Sequence, residues 1–80
     1  MNESDRTELS ALISELEEVK SERASGAVVV CKFLQEGELG LARRVLAKHF
    51  EPADQRYGEL AAHLSEQVLK KNTNEQEQSQ

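Results

Sequence analysis

The chain has 80 residues, a net charge of −5 and a single cysteine. That length allows one small domain whose own core gives marginal stability, and one thiol excludes an intrachain disulfide. Three aromatic residues without a tryptophan and an acidic balance argue against a base-stacking surface and against default binding to phosphate.

Residues 1–4 read as a frayed N-terminus, residues 5–71 as one helical domain and residues 72–80, "NTNEQEQSQ", as a disordered polar tail. The opening "MNESDRTE" has neither a basic n-region nor an apolar h-region. Together with the lone thiol this sets the expectation of a reduced, cytoplasmic setting. The longest apolar run, residues 27–31, is far shorter than the roughly 20 residues of a membrane span.

Leu9, Leu12, Ile13, Leu16 and Val19 recur at helical spacing, with Ser4 as the expected N-cap and Asp5 and Glu8 in the first turn. A first helix is expected over residues 5–23, ended by Ser25 and Gly26. The near-heptad Leu9, Leu12, Leu16 and Val19 would suit zipping against a copy or a partner.

"AVVVCKFL", residues 27–34, has the composition of a strand, but nothing else in the chain offers a strand to pair with it. A helix satisfies its own backbone, and β-branched residues cost a helix less than about 0.7 kcal/mol each. The segment is therefore expected to be a second helix, capped by Ser25 and closed by Gly37 in the left-handed conformation; a strand paired across a dimer is the alternative. Its apolar residues point in every direction, which predicts a central helix wrapped by others, with Cys31 buried.

A third helix is expected from Leu39 to Phe50. Leu39, Ala42, Val45, Leu46, His49 and Phe50 share one side, and Arg43, Arg44 and Lys48 share another. Leu41 stands well off the apolar side. Pro52 is expected to end this helix and to start a fourth, bearing Tyr57, Leu60, Ala61, Leu64, Val68 and Leu69. The fold class expected is thus all-α, a small bundle of three to four helices containing antiparallel hairpins. "FLQEGELGLARRVLAKHF" resembles one helical hairpin of the tetratricopeptide type, through Gly37 in the turn, Ala42 five residues later, and Phe33 and Leu46. Val30, His49 and Pro52 depart from that pattern. There is no 34-residue self-similarity, and a solenoid needs about three units.

No chemistry is spelled out. Cys31, His49 and His63 lack metal-ligand spacing, "GELG" lacks the features of a phosphate loop, and Glu17 and Glu18 are adjacent and diverge. The expectation is a protein without cofactor, metal or catalytic residues, acting through protein contacts. The candidate partner-binding residues are Val28, Val29, Phe33, Leu41, Leu9, Leu12 and Leu16, with a protein partner or a second copy as occupant. The alternative is a dimeric DNA-binding regulator using Arg43, Arg44 and Lys48; the simpler use of these bases is pairing with the glutamates of the first helix or with an acidic partner.

Overall fold

The computed structural model describes the backbone of residues 3–79 and the side chains of residues 3–70. The expectations for residues 1–4 and 72–80 fall at the edge of, or outside, the residues whose side chains are described. The chain is all-α, and among the described residues there is no strand. Helix α1 runs from Glu3 to Gln35. A short turn follows, then α2 (Leu39–Val45), a π turn (Leu46–Phe50) and α3 (Glu51–Ser79). Backbone angles at Val45, Leu46 and Glu51 are all right-handed helical, so these three pieces form one continuous arm. The expected bundle of three to four helices is corrected to a hairpin of two long arms. It measures 62 × 20 × 15 Å, with a radius of gyration of 18.1 Å, against about 12 Å for a compact chain of this length.

Two expected breaks are absent. Ser25 and Gly26 lie inside α1, and Ser25 caps nothing. A glycine in a helix interior costs about 1 kcal/mol, whereas each buried Leu or Val of the seam contributes roughly 1.5–3 kcal/mol. The packing term wins. Gly26 is moreover buried where the arms come closest. A methyl group built on it would lie 3.3 Å from both Cα and N of Phe50.

Pro52 likewise does not end the second arm. A proline inside an α-helix removes the hydrogen bond to the residue four before it and crowds that carbonyl, here that of Lys48. The π turn lies immediately ahead. The Glu51 N–H donates to the Leu46 carbonyl, five residues back, and this wider turn lets the arm pass the proline.

The turn between the arms follows expectation. Gly37 has φ of 77°, the left-handed conformation that glycine adopts without steric cost. The Glu38 N–H donates to the Phe33 carbonyl (2.9 Å) and the Gly37 N–H to the Leu34 carbonyl (3.1 Å). These two bonds make a Schellman ending for α1. The Ala42 N–H then donates to the Glu38 carbonyl (3.0 Å) and starts α2.

The inward line of α1 is Leu12, Val19 and Gly26, spaced by seven and shrinking toward the turn. Leu12 and Val19 form the core with Ala53 and Leu60, flanked by half-buried Leu9, Leu16 and Tyr57. Ala42 is buried nearer the turn. The spacing of seven from Leu12 through Val19 to Gly26, and again from Ala53 to Leu60, is that of helices packed at a shallow angle; Ala42 stands eleven before Ala53, across the π turn.

Candidate interaction surfaces

At about 100° per residue, each helix presents rows of residues seven apart on either side of its inward line. On α1 one flank carries Glu15, Glu22 and Val29. The other carries Leu9, Leu16, Arg23 and Val30, and beyond them Ile13, Lys20, Ala27 and Leu34. Contacts between the arms fix which flanks lie together. Glu15 pairs with Arg56 on one side of the hairpin. On the other side Arg23 meets Asp54 at 3.4 Å and its guanidinium lies 4.7 Å from the Tyr57 ring centroid. The hairpin therefore has two faces of different character.

The first face is concave and carries charges of both signs around an apolar floor. A groove of about 670 Å³ opens where the arms pass the π turn. From α1 it is lined by Glu22, Ser25, Gly26 and Val29; from the second arm, by Val45, Lys48, His49, Pro52, Ala53 and Arg56. The groove opens beside the close contact of Gly26 with the Phe50 backbone, where the π turn and Pro52 lie on the second arm. Glu22, Lys48 and Arg56 bring both charges to it, while most of its lining surface is apolar, with Val29, Val45, Pro52 and Ala53 among the contributors.

The second face is apolar over most of its length. It carries Leu9, Ile13, Leu16, Ala27 and Leu34 from α1, and Leu39, Leu46, Tyr57, Ala61, Leu64 and Val68 from the second arm. Ile13 (55%), Leu34 (52%), Leu39 (50%), Leu64 (42%) and Val68 (61%) stand open to solvent. Lys20, Arg23 and Asp54 interrupt the face near the middle of the hairpin.

The candidate partner-binding residues divide between these places. Leu12 is buried in the seam, with Leu9 and Leu16 packed against it, so α1 zips first against its own chain. Phe33 is half-buried near the turn. Val28 (52%) points away from the second arm, and Val29 and Leu41 are exposed on the groove side. The expectation that residues 27–34 are enclosed by neighbouring helices is corrected. Only one neighbouring arm exists, so Val28, Val29 and Leu34 remain outside and Cys31 is exposed rather than buried. Arg43, Arg44 and Lys48 are all exposed, Lys48 at the groove. It is Arg56, not one of these three, that takes a glutamate of the first helix. His49, expected on the apolar side, is exposed at the groove rim.

Among the described residues no group of three or more His, Cys, Asp or Glu is placed to hold a metal ion, and no helix is long and apolar enough to cross a membrane. Comparison with family models, with curated proteins and with solved structures finds no match for this chain.

Proposed function

We propose that this protein is a non-enzymatic protein–protein interaction module of the cytoplasm, of the small chaperone, adaptor, assembly factor or anti-activator kind. One observation carries the reading. Among the described residues five hydrophobic ones are buried, while nine large ones stand exposed, from Ile13 to Leu69. A hairpin of two arms covers one stripe per helix and leaves the rest of its apolar surface for another chain.

The test is association that depends on exposed apolar positions. Glutamate is placed singly at Ile13, Val28 or Leu41, all outside the core. Wild type and variants are compared by light scattering alone, and by chemical cross-linking in cell lysate. At least one variant is expected to lose its complex while keeping its helical circular dichroism. A wild type that stays monomeric at every concentration and cross-links to nothing that the variants lose would overturn the proposal. A salt-dependent complex with duplex DNA, lost on Arg43→Glu with Arg44→Glu, would overturn it in favour of nucleic-acid binding.

A further inference from the structure

Resting on that reading, we infer that the apolar face is covered by a second copy of the chain, in an antiparallel arrangement that places the turn of each hairpin over the open end of the other and closes a four-helix bundle. Three observations converge on a copy as the occupant. The first is area. The chain exposes 6350 Å², whereas a compact folded chain of 9.0 kDa exposes about 4,900 Å². On α1 the apolar face runs from Leu9 to Leu34, about 38 Å at 1.5 Å per residue, and the hairpin is 20 Å wide. Pairing two such faces removes about 1,500 Å² from water, which is the scale of a stable protein–protein interface.

The second observation is shape. A two-fold contact needs a surface that is complementary to itself. The face has apolar ends, Leu34, Leu39 and Leu46 near the turn, and Leu9, Ile13, Leu64 and Val68 near the open end. Its middle is polar, with the Arg23–Asp54 pair. A two-fold axis through that middle sets apolar end on apolar end. It also brings each Arg23–Asp54 pair beside its equivalent, where the two pairs can exchange partners.

The third is charge, and it selects the antiparallel arrangement. The turn half, residues 20–53, holds six bases and four acids, for +2. The open half, residues 3–19 with 54–70, holds nine acids and three bases, for −6. A parallel pair would stack the −6 halves on each other. The antiparallel pair sets each −6 half against a +2 half, so charge favours the same arrangement as shape.

The experiment uses the full chain. Light scattering is expected to give twice the 9.0 kDa monomer mass. Ile13→Glu with Leu64→Glu, both exposed in the single hairpin, is expected to raise the dimer dissociation constant by about 100-fold or more with helicity unchanged. Val29→Glu, on the groove face, is expected to leave it within about threefold. Orientation is read by spin labels on Lys32→Cys in a Cys31→Ser background, because position 32 points away from the apolar face. The antiparallel dimer places the labels about 35–45 Å apart, and a parallel dimer places them within about 30 Å.

The outcomes separate. Short label distances, or a dimer broken by Val29→Glu and not by the Ile13 and Leu64 pair, would overturn this arrangement. A monomeric wild type that cross-links to another protein through Ile13 and Leu64 would overturn the copy as occupant and keep the interaction module. A monomer with no such partner would overturn both.

Discussion

Gly26 and Gly58 are the same residue type in helix interiors with opposite reasons to be there. Gly58 has open space where a side chain would go, and it costs α3 helix propensity without a return. Gly58→Ala is therefore expected to stabilise the fold by about 0.5–1 kcal/mol. At Gly26 the atoms ahead of a new methyl group are backbone, at 3.3 Å, and backbone in a helix yields little. Gly26→Ala gains the same propensity but pushes the arms apart where they are closest, and it is expected to lower stability by about 1 kcal/mol overall. Urea titration of the two variants checks both signs. Two stabilising substitutions would show that the arms are not held in contact at Gly26. Arg23 is a different case. It joins Asp54 and Tyr57 across the arms, yet both charged partners are more than one-third exposed, so the ion pair contributes little in water.

At the level of elements, the parts legible in the sequence were those governed by local rules. The stripe from Leu9 to Val19 reads as a helix by periodicity alone. The Gly37 turn reads from the glycine that a left-handed ending requires. The parts not legible were those where a distant contact outweighs a local cost. Gly26 and Pro52 are breakers by propensity, and only the opposite arm tells that one is a contact point and the other sits behind a π turn. For the same reason the run Val28 to Val30 reads as an interior helix and is not one: a hydrophobic residue in sequence signals a need for cover, not that cover is present. The groove was invisible for want of the π turn that shapes it, although a proline within continuing helical periodicity is a signal that some turn must widen. The π turn and proline make a prediction. Pro52→Ala restores a donor that can close on the Lys48 carbonyl, and it is expected to raise stability by about 1–3 kcal/mol in urea melts. A drop instead would show that the proline ring is held by packing at the groove.

At the level of the whole molecule, the hairpin is a rod with a thin core. Among the described residues no side chain is fully enclosed, and the core is a single line of small and medium residues. Such a rod gains stability from association, so its melting temperature is expected to rise with concentration if the dimer forms. Small-angle scattering gives an independent check. Laying a second rod alongside the first at helix-packing distance doubles the mass but moves the radius of gyration only from 18.1 Å to about 19 Å. End-to-end joining would lengthen it far more. A doubled mass with a radius well above 20 Å would therefore speak against face-to-face pairing.

The π turn seats five residues, Leu46–Phe50, where an α turn would seat fewer, so the second arm holds one residue more than its length needs. In the terms of the gene, this is the stretch where one codon can be lost and the paired arms keep their places. A codon lost between Leu12 and Val19 would instead turn every side chain beyond it by about 100° and empty the seam. The surplus residue and Pro52 are bound to each other, because a regular helix reformed by the deletion would run into the proline ring. Loss of the codon is therefore a change that the hairpin accepts more readily once the proline has been replaced.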